Sequence, residues 1–171
     1  AGIIQLESII KKVLEDKARF ERELRIRKQQ EALKTKSFKA LKGQLPWPAD
    51  GRIIAKFGRQ WNSKLKTTTE NPGIDIKGQP GSPIRTVLGG VVTTITYIRG
   101  YGTTIIVDHG GGFYTVYSHV TNIQAVVDGQ VRNGDIIAYM GDSGSINGSK
   151  LHFEIWGKGQ KLDPEKWLIK K

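Results

Sequence analysis

Apolar residues recur along this chain on two different periods. Between Gly2 and Gly43 there is no glycine or proline, and Lys, Arg, Glu, Gln, Leu and Ala dominate, all strong helix formers. Ile3, Leu6, Ile10, Val13, Phe20 and Leu24 fall on alternating three- and four-residue steps, interrupted by Lys17, which is the spacing of a coiled-coil seam. The pattern predicts a long amphipathic helix. Arg27 and Glu31 then hold seam positions, so a break or bend is expected between about 26 and 36. At about 1.5 Å per residue, a helix of some forty residues would run roughly 60 Å, farther than one small domain can cover. Its apolar stripe is therefore expected to face a partner helix, a second copy of the chain, or a groove on the chain's own globular part.

Leu45-Pro46-Trp47-Pro48 stops the helix, because proline lacks the amide donor and disfavours helical geometry in the residue before it. The boundary is expected near Gly43, with a helical segment over 1–43 and a globular domain over 44–171. Beyond it the period shortens to two, in β-branched runs separated by glycine turns. Strands are predicted at about Arg52 to Phe57, Ile74 to Lys77, Ile84 to Leu88, Val91 to Ile98, Thr103 to Asp108, Phe113 to His119, Ile136 to Met140 and Leu151 to Trp156. Of the 21 glycines, only Gly2 and Gly43 precede position 44, a density that fits tight turns between antiparallel strands. Asp128-Gly129, Asn133-Gly134 and Tyr101-Gly102 mark such turns. The expected fold is mainly β, an antiparallel β-sandwich or open barrel with almost no further helix, preceded by the long helical segment.

At 171 residues one core is expected. The absence of cysteine excludes disulfides, thiolate zinc sites and cysteine nucleophiles. No stretch approaches the roughly 20 apolar residues of a membrane span, and the first residues lack the pattern of a signal peptide; with no initiating Met, a mature product or a cut piece of a longer protein is expected. The formal charge is +11, from 12 basic and 6 acidic residues over 1–44 and 15 and 10 over 45–171. This excess is spread out and comes with no nucleic-acid motif, so a nucleic-acid partner is not expected. Attraction to polyanions such as anionic lipid or cell-wall polymer is.

Two residue pairs carry the candidate chemistry. Asn71 and Asp75 stand in Asn-Pro-Gly-Ile-Asp, and Lys150 and His152 in Lys-Leu-His-Phe-Glu. A catalytic zinc takes three protein ligands and keeps a position open for the water it activates. Both pairs have zinc-peptidase spacing, yet each contains a residue such a site should lack. An amide oxygen is a poor zinc donor beside an imidazole nitrogen, and a lysine ammonium cannot act as a base and repels a cation. His109, beside the glycines at 110–112, reads as a turn residue.

The globular region resembles the lysostaphin or LytM-type zinc endopeptidases, whose pattern is His-x-x-x-Asp early, His-x-His late, and a further His between them. The resemblance runs from about Gly51 to Leu168 through Gly73-Ile74-Asp75, Gly81-Ser82-Pro83, Gly100-Tyr101-Gly102, Asp108-His109-Gly110, Tyr117-Ser118-His119, Gly141-Asp142-Ser143-Gly144, Leu151-His152-Phe153-Glu154 and Asp163-Pro164. It implies that Asp75 and His152 stand at ligand positions and that Asn71 replaces the first ligand histidine. It also implies that His119 matches the histidine assisting proton transfer and that Lys150 replaces the other catalytic histidine. The loss of one ligand and one catalytic histidine argues against hydrolysis.

A coiled-coil segment followed by Leu-Pro-Trp-Pro and such a degenerate domain is similar to the EnvC-like murein hydrolase activators. That resemblance implies a chain outside the cytoplasmic membrane, in the periplasm or an equivalent compartment. It implies binding to a zinc-dependent N-acetylmuramoyl-L-alanine amidase through the former active-site groove, with relief of that enzyme's autoinhibition during septum splitting. The helix could hold the groove closed until division-machinery proteins release it. The expected groove residues are Asn71, Pro72, Asp75, Tyr101, Tyr117, His119, Lys150, His152 and Trp156. No cofactor is expected, with at most weak zinc binding by the residual ligands. The rival readings are a surviving zinc endopeptidase of peptidoglycan and a peptidoglycan-binding scaffold module.

Overall fold

The run of helix formers is realised as one helix, α1 (Gly2–Ala40). No break in the helix occurs between 26 and 36: losing apolar seam residues does not end a helix while Lys, Gln, Glu, Ala and Leu continue it. This computed structural model describes the backbone of residues 2–145 and 148–171, and all their side chains except those of 2–5 and 27–37. Ile3, Arg27 and Glu31 of the predicted seam therefore lie outside the described side chains. Leu6, Ile10, Val13, Phe20 and Leu24 are all solvent-exposed. No described helix is long and apolar enough to cross a membrane.

The strands are β1 (Arg52–Ala55), β2 (Gly58–Asn62), β3 (Thr67–Asn71), β4 (Ile74–Lys77), β5 (Pro83–Arg85), β6 (Gly90–Ile98) and β7 (Gly102–Gly110). They continue as β8 (Phe113–Ser118), β9 (Val120–Thr121), β10 (Gln130–Val131), β11 (Ile136–Met140), β12 (Leu151–Gly157) and β13 (Gln160–Leu162), and a single turn of helix, α2 (Pro164–Trp167), follows. The main sheet has the order β1-β4-β12-β8-β7-β6-β10, with β13 added to β12. A smaller sheet, β5-β11-β9, packs against it, and β2 and β3 form a separate hairpin. All these strand pairings are antiparallel, so the architecture is the expected mainly β one.

Alternation decides what faces the core. Ile74 and Ile76 of β4, Leu151, Phe153 and Ile155 of β12, and Ile105 and Val107 of β7 are fully buried, and they meet Ile84, Ile137 and Met140 of the smaller sheet. Their neighbours at odd steps, Asp75, His152, Glu154 and Trp156, lie on the opposite face. Phe38, near the end of α1, is also in the core, stacked on Phe113 at 4.7 Å and tilted against Trp167 at 5.3 Å and His109 at 5.0 Å.

His109 is not a turn residue. It belongs to β7 and is fully buried; Nδ1 donates to the Gly89 carbonyl (2.9 Å) and Nε2 bonds the Thr115 hydroxyl (2.7 Å). The hairpin β2–β3 escaped sequence reading because it is exposed on both faces and so shows no alternation.

Candidate functional site

The Asn-Pro-Gly turn brings the chain from β3 into β4 against β12. Gly73 is required there: a Cβ would sit 2.1 Å from the Phe153 carbonyl oxygen. Asn71 uses its side-chain oxygen inside this turn, accepting from the Gly73 amide at 3.2 Å. Antiparallel register then sets Asp75 directly opposite His152, and His152 opposite Ser118 of β8.

A continuous polar relay runs across this face. Lys150 Nζ donates to Asp75 Oδ2 at 3.0 Å, and His152 Nδ1 donates to Asp75 Oδ1 at 2.6 Å. His152 Nε2 meets Glu154 Oε2 at 2.8 Å, and Trp156 Nε1 donates to Glu154 Oε1 at 2.7 Å. Ionised carboxylates only accept, so both ring nitrogens of His152 are placed to donate, the pattern that favours the imidazolium charge. Burial opposes that charge, yet the two carboxylates prevail and hold the His152 pKa above its ordinary 6.5. Burial likewise opposes ionisation of Asp75, and His152 with Lys150 overcomes it, holding the carboxyl below its ordinary 3.8.

His119 stands beside this relay, across the Tyr101 ring from His152. Its backbone is left-handed, at φ 65°, and Nδ1 donates to the Ser143 carbonyl at 2.8 Å. Burial lowers its pKa; the Ser143 carbonyl works against this, while the cations Lys150 and His152 add to it. The ring is therefore neutral at pH 7, with the proton on Nδ1. The Tyr101 ring lies between the two histidines, 4.9 Å from His152 and 6.5 Å from His119. Burial, with Glu154 and Asp75 nearby, raises the Tyr101 pKa and keeps the phenol protonated. Two loops hold this arrangement: at Gly102, φ 70°, a Cβ would lie 1.9 Å from the Ser143 carbonyl oxygen, and Ser143 Oγ bridges the Thr103 amide and the Val120 carbonyl.

Asp75, Tyr101, His119, Lys150 and His152 thus gather at one end of the sheet face, with Asn71 and Pro72 half-buried in the turn leading to it. Tyr117 does not join them. It points to the core, fully buried, and its hydroxyl accepts from the Val87 amide at 3.2 Å. Trp156 lies farther along, linked through Glu154, and borders an open apolar recess of about 390 Å³ that it lines with Thr94, Ile106, Tyr114 and Val116. Glu154 was not expected in the site. The alternation His152-x-Glu154-x-Trp156 is the signal that places it there.

The arrangement does not fit a zinc ion. The Asn71 oxygen is turned into its own loop, both Asp75 oxygens and both His152 nitrogens are engaged, and among the described residues no three His, Cys, Asp or Glu converge as a metal site.

The sequence model of Peptidase family M23 matches residues 69–164, more than half of the 171-residue chain. The chain belongs to peptidase family M23. The M23 chain is 32% identical over 75% of its length to the murein hydrolase activator EnvC of Escherichia coli, covering 30% of that protein. It is 38% identical over 74% of its length to the lipoprotein NlpD/LppB homolog of Pseudomonas aeruginosa, covering 40% of it. It is also 33% identical over 66% of its length to the DD-carboxypeptidase/endopeptidase Mpg of Neisseria meningitidis, covering 26% of it. The chain therefore spans well under half the length of these relatives. A zinc-containing peptidase from Vibrio cholerae superimposes with a TM-score of 0.67 at 22% identity, over 75% of this chain and 41% of that one, a likeness of fold alone. One of these relatives is named as a murein hydrolase activator, while Mpg carries the name of an enzyme.

Proposed function

We propose that this M23 chain is a non-catalytic activator of a peptidoglycan N-acetylmuramoyl-L-alanine amidase, bound through the groove around Asp75, Tyr101, His119, Lys150 and His152 in an extracytoplasmic compartment. The observation that carries this reading is the Lys150–Asp75–His152–Glu154 relay. The atoms a peptidase would offer to zinc are consumed by internal partners, so the groove keeps its shape without its reaction.

Such a groove can still act by population shift. If it binds the accessible form of the amidase more tightly than the closed form, binding alone raises the accessible fraction. The half-exposed Trp156 and Tyr101 supply anchors, and the apolar recess takes a buried side chain from the partner, as interfaces with a few dominant contacts require. The exposed stripe of α1, Leu6 to Leu24, is the segment that would cover this face in a resting state and leave it when division-machinery proteins engage the helix.

Release of labelled fragments from peptidoglycan tests the reading, with the chain alone, with added zinc, and with an autoinhibited amidase. Release only in the amidase arm is expected. Chelator-sensitive release by the chain alone would make it a zinc endopeptidase, and saturable cell-wall binding with no effect on the amidase would make it a scaffold module.

A further inference from the structure

The missing third ligand does not by itself abolish metal binding. Asp75 and His152 both survive, and two protein ligands with water can still hold a divalent cation weakly. What the structure adds is a cation already in place. Lys150 Nζ lies 3.0 Å from Asp75 Oδ2, with its side chain 11% exposed and the carboxylate 14% exposed. The lysine is aimed by its backbone, whose amide donates to the Gly141 carbonyl at 3.1 Å immediately before β12. It also lies two residues before His152, the step that returns a strand side chain to the same face.

We propose that the Lys150 ammonium is a resident cation that takes the place of the metal, and that it is Lys150, in addition to the loss of a ligand at Asn71, that keeps zinc out of the groove. A zinc ion reaching Asp75 must expel a covered ammonium that the chain holds at high effective concentration, or sit beside a like charge. The benefit of such exclusion rests on the activator reading. A groove docking against a zinc amidase with a free aspartate and histidine would compete for that enzyme's ion, and a tethered ammonium removes the competition.

Four full-length proteins test this: the parent, Asn71→His, and Asn71→His combined with Lys150→Met or with Lys150→Ala. Cobalt is the probe, because its visible absorption reports coordination directly, and zinc is then measured by competition. The parent and Asn71→His are expected to bind cobalt weakly, and the doubles about 10- to 100-fold more tightly than Asn71→His, the range typical of groups around a metal site. Binding by Asn71→His within about threefold of the doubles would overturn the proposal, as would no gain in either double. Circular dichroism before metal addition selects the folded double, and the alanine variant replaces the methionine one if packing fails. A last arm measures the zinc retained by the amidase after mixing, which should fall with the doubles and hold with the parent. If the parent does not activate the amidase while the cobalt result stands, the activator reading fails and zinc exclusion by Lys150 remains.

Discussion

Replacing Phe38 by alanine should destabilise the whole β domain, although Phe38 sits on the helix that precedes it. The side chain is fully buried and rests between Phe113, Trp167 and His109, with ring centroids 4.7, 5.3 and 5.0 Å away. Truncating a core phenylalanine costs about 3–5 kcal/mol, and the lost ring contacts, at about 0.5–1.5 kcal/mol each beyond burial, place this site toward the upper end. For a unit of this size each kcal/mol corresponds to about 3–4 °C in melting temperature, so a fall of roughly 10–20 °C is expected. Phe20→Ala supplies the control within the same helix, because Phe20 is 62% exposed and its loss should cost no more than about 0.5 kcal/mol. Urea denaturation followed by tryptophan fluorescence reads both. A Phe38→Ala loss below about 1 kcal/mol, or one equal to that of Phe20→Ala, would refute the claim that the end of α1 belongs to the core. By the same reasoning a fragment beginning at residue 44 should be much less stable than one beginning at residue 36.

Titration of the histidines by NMR should place His152 above 6.5 and His119 below it; the reverse order would contradict the relay. The matching stability contributions run oppositely with pH. That of His152 is complete below about 6.5 and fades as pH rises through its higher folded value, whereas that of Asp75 is present above 3.8 and is lost as pH falls through its lower one. The difference in stability between the parent and His152→Gln should therefore be largest between those two values and shrink at pH 9. Gly102→Ala forces a Cβ into the Ser143 carbonyl at φ 70° and should cost about 2 kcal/mol or more while moving the His119 resonances; unchanged resonances would deny that Ser143 holds the ring. Trp156→Ala should weaken amidase binding about 30-fold, the scale of an interface hot spot, with a melting temperature close to the parent's. Removing residues 1–30, which leaves Phe38 in place, should tighten amidase binding; equal affinity would end the idea that α1 covers the groove.

Regular elements were readable where one face is buried. β4 and β11 begin and end where the sequence predicts, at Ile74–Lys77 and Ile136–Met140; in β4 burial of every second residue writes a period of two into the sequence, whereas β11, with Ile137 and Ala138 both buried, is marked by its continuous apolar run. The hairpin β2–β3 left no such trace, since neither of its faces is covered. The site divides in the same way. Motif spacing brings Asp75, His119, Lys150 and His152 to attention, but the direction a residue faces comes from register. That is why Tyr117, one strand step from the groove in sequence, turns into the core, and why Glu154, an unremarked member of the Leu-His-Phe-Glu motif, becomes the second anion on His152. Phe38 was hidden for another reason: a helix of polar composition gives no sign that its last turn is clamped by aromatics distant in sequence.

The route of the backbone at the two ends of the β domain has a mechanical consequence. Gly43 and Leu45 donate their amides to the Trp167 carbonyl, Ile169 returns one to the Leu45 carbonyl, and Trp47 Nε1 reaches the Ile169 carbonyl at 2.7 Å. The segment leaving α1 and the tail of the chain are thus clasped side by side, away from the groove. Tension applied between the helix and any sequence continuing past Lys171 would load this clasp directly and leave the two sheets slack, so the β domain would ride as a pendant on a taut line with its binding face undistorted.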